Sequence, residues 1–405
     1  MTVNRLFDPG RHEPLAGEPW TDAAARAAVA SIMAATQAEL QPGEGWPAHP
    51  LDDPGTPGEH DWPLYHGAGG VVLAWRHLAQ RGAAPAPPDF VALVAGLCAR
   101  NHAALAGHRH GSASYLLGDT GLDLLHWTLA PDPALLQRLH DSILGNLHNP
   151  AGEALWGSPG SLLAAVTLAQ ASGDPRWAHL LRQGADALEA DLVWDAALGG
   201  WIWVQDLYGR PGQRLLGAGH GFVGNLFPFL RAAAWLPAAQ VDRVLARALQ
   251  TLQASALHAD GAINWHPDAH PDPARGRAPL MQDCHGAPGV LCRLATAPAT
   301  PAWDTLLTAA GEAVWAAGPL TKGASLCHGT GGSALALLKL WRRSGQAQWL
   351  DRARALAMHA AGQVASHRAQ YGQGRHSLWT GDLGAACILQ ACLDGDDRFP
   401  SLDCF

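Results

Sequence analysis

The chain alternates between two kinds of apolar pattern. In the first kind, apolar residues recur at i, i+3, i+4 and i+7, which predicts helices with one solvated face. Such amphipathic stretches lie at residues 22–40, 174–193, 239–257 and 346–364. In the second kind, Ala- and Leu-rich segments are apolar on nearly every side, which predicts buried helices. Period-2 alternation is scarce, so we expect only short strands, around 201–204 or within 205–216.

Each buried segment opens with a pair of glycines spaced as Gly-x-x-Gly. Seven pairs occur: Gly67–Gly70, Gly118–Gly121, Gly157–Gly160, Gly221–Gly224, Gly286–Gly289, Gly329–Gly332 and Gly381–Gly384. Their first glycines lie 39 to 65 residues apart, which is long enough for a helical hairpin with its loops. The pattern predicts an all-α, double-layered α/α toroid with seven inner and seven outer helices; an open solenoid is the alternative. We expect one domain over residues 1–405, with residues 1–20 as an N-terminal extension.

Composition narrows the functional classes. The 405 residues carry a net charge of −8 and no basic stripe, which argues against a nucleic-acid surface. No apolar run approaches the roughly 20 residues of a membrane span, and the first 20 residues lack a signal-peptide core. We therefore expect a soluble, cytosolic protein. Seven cysteines are too few, and odd in number, for a disulfide scaffold; cysteine close to histidine indicates a metal or a catalytic site instead.

Histidine and cysteine recur just before the glycine pairs. Four pairs are preceded directly by histidine, namely His66, His220, His285 and His328, and two of these histidines follow a cysteine, Cys284 and Cys327. Equivalent positions of neighbouring repeats converge at one end of a ring, so the two cysteines should face each other. Two thiolates and one imidazole are a zinc ligand set that leaves the fourth tetrahedral position open, as in catalytic sites. The spacing does not decide which histidine is the third ligand. Cys98, Cys292, Cys387 and Cys392 are expected to be core residues, and Cys404 is expected to have no special role.

These residues lie in segments that resemble the lanthionine synthetase C-like (LanC-like) proteins. The matching segments are NRLFDP (4–9), GAGHGFVGNL (217–226), CHGAPGVL (284–291), KGASLCHGTGGSAL (322–335), SLWTGDLG (377–384) and DRFPSL (397–402). The resemblance covers nearly the whole chain and is stronger to the eukaryotic-type branch than to the lantibiotic cyclases. It implies the same double-layered α/α toroid.

The resemblance also implies roles for particular residues. The zinc ligands would be Cys284, Cys327 and His328, and His220 would be the catalytic acid or base. His285 and Asp119 would lie on the substrate side. Two departures stand out: Asp283 replaces a tryptophan that is common before the first ligand, and Ser114 replaces an aspartate of the lantibiotic cyclases.

The implied chemistry is addition of a thiol to dehydroalanine or dehydrobutyrine, which forms a thioether. The donor would be glutathione or a peptide cysteine, and the acceptor a peptide or protein that contains dehydroamino acids. Arg5 and Lys322 are candidate contacts for a glutathione carboxylate.

Several other functions remain open at this stage. One is a lanthipeptide cyclase with its own precursor, and another is a zinc-stabilised binding module without turnover. A prenyltransferase β-subunit is a further zinc-containing α/α toroid, although its ligand pattern is not seen here. A glycosidase would need two convergent carboxylates, for which Asp119, Asp283 and Asp382 are the candidates.

Overall fold

The computed structural model describes residues 6–52, 59–272, 274 and 278–405. This part of the chain is mostly helical, with fourteen α-helices and six short strands. The helices are α1 (Asp22–Ala38), α2 (Ala68–Gln80), α3 (Val91–Ala104), α4 (Asp119–Leu129), α5 (Pro133–Gly145), α6 (Ser158–Ser172), α7 (Pro175–Ala190), α8 (Phe222–Arg231), α9 (Ala238–Ser255), α10 (Ala287–Leu294), α11 (Pro301–Ala317), α12 (Thr330–Ser344), α13 (Ala347–Tyr371) and α14 (Asp382–Asp394). No helix in the described residues is long and apolar enough to cross a membrane.

The seven glycine pairs begin the seven even-numbered helices. In every case the first glycine of the pair is the N-cap residue. These helices are buried, and α10 has no exposed residue at all. The odd-numbered helices alternate with them along the chain, and α1, α7, α9 and α13 lie where the amphipathic pattern predicts helices. The predicted number and alternation of helices are therefore confirmed.

The loops before α2, α8, α12 and α14 supply main-chain hydrogen-bond acceptors for the first turn of these helices. Phe222 N donates to Leu215 O at 2.9 Å and Thr330 N donates to Gly323 O at 2.8 Å, each bond spanning seven residues. These bonds satisfy N–H groups that a helix start otherwise leaves without partners. The carbonyls lie so close that a β-carbon at Gly221 would collide with Leu215 O. The close approach explains why glycine stands at these positions.

The described part of the chain forms two compact units. The first comprises the described residues within 6–10, 108–115 and 140–317. In it α8 packs against both α6 and α10, so that three buried helices form a row. Helices α7, α9 and α11 pack against this row through their apolar faces. Each buried Leu in such a layer contributes about 1.5–3 kcal/mol to stability.

The described residues of the first unit also form three antiparallel hairpins. They are β1 (Val193–Asp195) with β2 (Gly200–Ile202), β3 (Gln205–Leu207) with β4 (Arg210–Gln213), and β5 (Leu257–Ala259) with β6 (Ala262–Asn264). In β1–β2, Trp194 lies opposite Trp201. The hairpins account for the short strands that the sequence predicts near residues 201–216, and they leave the helical class unchanged.

The second unit comprises residues 11–52, 59–107, 116–139 and 318–405. Its buried helices follow one another in the order α12, α14, α2 and α4, each in contact with the next. Helix α13 covers α12 and α14, α1 covers α14, and α3 covers α2 and α4. The last buried helix of the chain thus packs against the first, which a closed ring requires. Closure of the whole toroid and a single domain over residues 1–405 stay predictions.

Main-chain hydrogen bonds join the loops that precede these buried helices. We call the residue two places before the first glycine of a pair the rung residue. In the second unit, Cys327 N donates to Trp379 O at 2.9 Å, Trp379 N to Tyr65 O at 3.0 Å, and Tyr65 N to Leu116 O at 3.0 Å. All four are rung residues of consecutive pairs, since the seventh pair is followed by the first. Equivalent positions of neighbouring repeats therefore meet within this unit, as the repeat pattern predicts.

Candidate metal centre and acid–base pair

The predicted zinc ligands are divided between the two units. Cys284 lies in the first unit, and Cys327 and His328 lie in the second. Cys327 Sγ is 3.6 Å from His328 Nε2. Tetrahedral zinc with ordinary Zn–S and Zn–N bonds places sulfur and nitrogen about 3.6 Å apart. The donor set and this distance fit Zn²⁺.

The turn that precedes α12 makes the adjacent pair Cys327 and His328 usable by one ion. Neighbouring side chains on a helix diverge by about 100°, but this pair lies in a turn outside the helix. Both cysteines are buried, while His328 is partly exposed.

Each cysteine sulfur accepts a hydrogen bond from a side chain that the sequence analysis does not single out. Gln282 Nε2 donates to Cys284 Sγ at 2.9 Å. The Tyr65 hydroxyl donates to Cys327 Sγ at 2.8 Å. Such donors orient metal ligands and stabilise the thiolate form that binds the metal. Tyr65 occupies the rung position of the first pair, so the repeat register is the signal that leads to it.

Tyr65 is itself held in place by its neighbours. Its ring stacks on Trp379 with centroids 5.7 Å apart and an interplanar angle of 24°. Trp379 Nε1 in turn donates to Ser401 Oγ at 2.9 Å. Together with the main-chain bonds between these rung residues, this stack fixes the hydroxyl beside Cys327.

Asp283, which stands where tryptophan is common in the resembled family, forms a buried ion pair. Both of its carboxylate oxygens accept hydrogen bonds from the Arg293 guanidinium, at 2.9 and 2.8 Å. The two side chains are almost completely buried. The pair ties the residue before Cys284 to the last turn of α10. With both oxygens engaged by arginine, Asp283 is a poor candidate for a glycosidase carboxylate.

His220 forms a pair with a glutamate. Its Nδ1 lies 2.9 Å from Glu153 Oε2, and the Glu153 side chain has no solvent exposure. Glu153 also accepts hydrogen bonds from Leu155 N at 3.0 Å and Trp156 N at 2.7 Å. A carboxylate held in this way fixes the imidazole ring and places the proton of that ring on Nδ1. In the neutral ring Nε2 then carries no proton.

The His220 loop lies against the loop that carries Cys284. Gly219 N donates to Cys284 O at 3.0 Å, and both are rung residues. The rings of His220 and His285 have centroids 6.0 Å apart. The structure therefore brings His220, His285 and the first ligand cysteine together within one unit.

The other predicted site residues have separate surroundings. Asp119, at the start of α4, accepts a hydrogen bond from Asn101 at 3.1 Å and lies 2.7 Å from His102 Nδ1. Both partners belong to α3, so its observed contacts join two helices. Its substrate role stays a prediction. Arg5 lies outside the described residues.

Lys322 lines a cavity in the second unit. The cavity has a volume of about 580 Å³ and also includes Tyr65 and His328 in its wall. Its charged lining residues are Lys322, Arg375, Asp52 and Asp61. Arg375 Nε donates to Asp52 Oδ1 at 2.8 Å. The cavity thus offers both signs of charge beside a candidate metal ligand.

The chain belongs to the lanthionine synthetase C-like protein family, because the model of that family matches residues 58–404. LanC-like protein GCL1 of Arabidopsis thaliana is 28% identical over 268 residues, which cover 62% of this chain. The matched region spans 57% of the length of that relative. Among solved structures, nisin cyclase aligns with a TM-score of 0.57 at 13% identity, covering 82% of this chain and 88% of that one. This likeness shows that the two share a fold.

Proposed function

We propose that this protein catalyses zinc-dependent addition of a thiol to a dehydroalanine or dehydrobutyrine residue, which forms a thioether. The observation that carries the proposal is the Cys327–His328 pair, whose sulfur and nitrogen lie 3.6 Å apart. Cys284 is the proposed third ligand, and its main chain is hydrogen-bonded to the His220 loop. Three protein ligands leave one tetrahedral position for a substrate atom. A histidine held by a buried carboxylate supplies a proton-transfer group near that position.

Each part of the site has a distinct task in the reaction. Bound zinc would lower the pKa of the donor thiol, so that the sulfur would be a nucleophilic thiolate at neutral pH. The proton that the thiol loses passes to His220 Nε2, and Glu153 stabilises the charged imidazole that results. As the carbon–sulfur bond forms at the β-carbon, the π electrons move toward the carbonyl and give an enolate. His220 Nε2 then delivers its proton to the α-carbon. The net change is one thiol added across one double bond.

The cavity beside His328 is suited to a zwitterionic thiol donor. Lys322 can pair with a donor carboxylate. Asp61, whose Oδ2 lies 3.4 Å from His66 Nδ1, can pair with a donor ammonium group. Arg375 is already engaged by Asp52, so it contributes less free charge. Glutathione carries two carboxylates, one ammonium and one thiol, which favours it over an uncharged thiol. A cysteine in a peptide is the other donor that this cavity would accept.

Mass spectrometry of a dehydroalanine peptide incubated with glutathione tests the proposal. We expect the zinc-loaded protein to add one glutathione and to give one configuration at the new α-carbon, whereas uncatalysed addition gives both. Chiral analysis of the hydrolysed adduct separates these outcomes. Adduct that forms at the same rate and with both configurations in the presence and absence of protein would contradict catalysis and leave a binding module.

The same experiment separates the two donors. A second peptide carries a cysteine several residues from the dehydroalanine and is incubated without glutathione. Loss of the free thiol without a change in mass would identify cyclisation, as the name of nisin cyclase indicates for that enzyme. If the protein adds glutathione to the first peptide and does not cyclise the second, the reaction is intermolecular, which is the result we expect.

A further inference from the structure

The turn of the β3–β4 hairpin carries a tyrosine in a strained conformation. Tyr208 and Gly209 link the two strands, and their φ angles are +52° and +73°. A two-residue turn with positive φ at both positions favours Asn, Asp or Gly. A bulky side chain there is unfavourable, and such outliers concentrate at functional sites. The Tyr208 residue is nonetheless 55% exposed, so burial of its ring does not explain its presence.

Contacts with three other residues hold Tyr208 beside the acid–base pair. Its main-chain N donates to His110 Nε2 at 3.1 Å, and its hydroxyl oxygen accepts from Trp156 Nε1 at 3.1 Å. Its ring centroid is 6.2 Å from that of His220. Trp156 N also donates to Glu153, so the tyrosine and the histidine are positioned by the same short segment.

The direction of the hydrogen bond from Trp156 leaves the phenol proton for another acceptor. An indole N–H can only donate, so the Tyr208 oxygen is the acceptor in that bond. The O–H group is then free to donate toward a ligand. A phenol has a pKa of about 10, so the hydroxyl is protonated at neutral pH and keeps the proton that it donates.

We propose that the Tyr208 hydroxyl donates a hydrogen bond to the carbonyl oxygen of the dehydroamino acid and stabilises the enolate formed during thiol addition. The inference rests on the proposed function and adds a group for the acceptor substrate. The carbon–sulfur bond forms at the β-carbon, the displaced π pair places negative charge on the carbonyl oxygen, and that oxygen is the atom that Tyr208 contacts. Protonation of the α-carbon by His220 then restores the carbonyl, and the tyrosine keeps its own proton.

Tyr208→Phe removes the hydroxyl and keeps the ring. We expect kcat for thiol addition to fall by about 10²-fold, as when one oxyanion donor is lost, with unchanged zinc content and thermal stability. Trp156→Phe is the comparison, since it removes the indole donor and leaves the hydroxyl; we expect a loss of less than about fivefold. Arg109→Gln, which changes an exposed residue beside Gly209, serves as the matched surface control.

A spectroscopic measurement tests the contact without turnover. A peptide with a ¹³C-labelled dehydroalanine carbonyl is bound to zinc-loaded protein in the absence of any thiol donor, and its carbonyl resonance is recorded by NMR. Hydrogen bonding should shift that resonance downfield in the wild type and in Trp156→Phe, but not in Tyr208→Phe. An identical shift in all three proteins would overturn the proposed contact.

The kinetic outcomes separate this inference from the proposed function. If the wild type is active and Tyr208→Phe keeps full activity, Tyr208 has no part in the mechanism and the proposed function is unaffected. Equal losses in Tyr208→Phe and Trp156→Phe would assign the tyrosine a structural role only. A wild type that binds the peptide and never adds a thiol would overturn both.

Discussion

His220 Nδ1 lies 2.9 Å from Glu153 Oε2, so that a partly exposed imidazole contacts a fully buried carboxylate. The other hydrogen bonds of that carboxylate come from main-chain N–H groups. Glu153 therefore cannot rotate away from His220 without losing those bonds. The pair resembles other histidines whose ring orientation and tautomer are set by a carboxylate.

Glu153→Gln tests this positioning role. The amide nitrogen of the new glutamine would face N–H groups that now donate to the Glu153 carboxylate, and two donors cannot bond to each other. The His220 ring should therefore lose its fixed orientation. We expect thiol addition to fall by roughly 10–10³-fold while the zinc content stays at one per chain. ¹⁵N NMR of the imidazole should show a changed tautomer population. Glu18→Gln, at an exposed position, is the control. Unchanged activity and tautomer would contradict the role of Glu153.

Removal of a ligand side chain should remove the metal. Cys284→Ala and Cys327→Ala each leave two ligands. Because one strong ligand is lost, elemental analysis should find less than about one tenth of the wild-type zinc. Cys292→Ala is the matched control, because Cys292 is a buried cysteine of α10 outside the ligand group. Equal zinc in all three variants would show that the metal lies elsewhere.

His220→Ala separates the metal ligand from the proton donor. We expect this variant to keep full zinc occupancy and to lose thiol addition by roughly 10²–10⁴-fold, the usual contribution of a general acid or base. Metal content and turnover are measured on one preparation. If His220→Ala loses its zinc while His328→Ala retains it, the assignment of these two histidines is reversed.

The Tyr65 hydroxyl should affect the metal through Cys327. Tyr65→Phe removes the donor at 2.8 Å, and we expect metal affinity to fall by about 10-fold, the lower end for loss of such a partner. In cobalt-substituted protein the sulfur-to-cobalt charge-transfer band should shift as well. Tyr371→Phe changes a second tyrosine of the same cavity and is the control. A band and an affinity identical to those of the wild type would leave Tyr65 as a packing residue.

The sequence determines much of this architecture because its repeats are local. Each Gly-x-x-Gly pair marks its own helix start, and all seven starts are confirmed. The Cys284, Cys327 and His328 set follows from two copies of one motif. Glu153, Tyr65 and Gln282 carry no motif of their own, and Tyr65 meets Cys327 across 262 residues of sequence. Only the register of the repeats relates Tyr65, two residues before Gly67, to the cysteines at equivalent positions.

The effects of substituting Asp283 and Arg293 on stability should depend strongly on each other, because the two side chains form a buried ion pair. Arg293→Met leaves a buried carboxylate without its partner, and we expect the free energy of unfolding to fall by about 3–5 kcal/mol. The double variant Asp283→Leu/Arg293→Met removes both charges and should recover most of that loss. Urea unfolding of the single and double variants measures the coupling. A double variant whose loss equals the sum of the two single losses would show that the pair is not coupled.

Asp382 should make stability depend on pH. Burial raises its pKa from 3.8 to about 6, so the folded state holds the proton more tightly than the unfolded state does. Its contribution therefore favours folding at low pH and is lost as pH rises from about 4 to 6. Relative to Asp382→Asn, the wild type should lose on the order of 3 kcal/mol across this range. Asp242→Asn, at an exposed position, is the control. Parallel pH profiles of the wild type and Asp382→Asn would contradict the shift.

The initial rate of thiol addition to a dehydroalanine peptide, measured by mass spectrometry with zinc-loaded and zinc-stripped protein, tests the central claim most directly. The account predicts a rate above the uncatalysed reaction only with the loaded wild type, abolished in Cys284→Ala and restored in stripped wild type when zinc is returned. A rate that is the same in loaded, stripped and Cys284→Ala protein would contradict it.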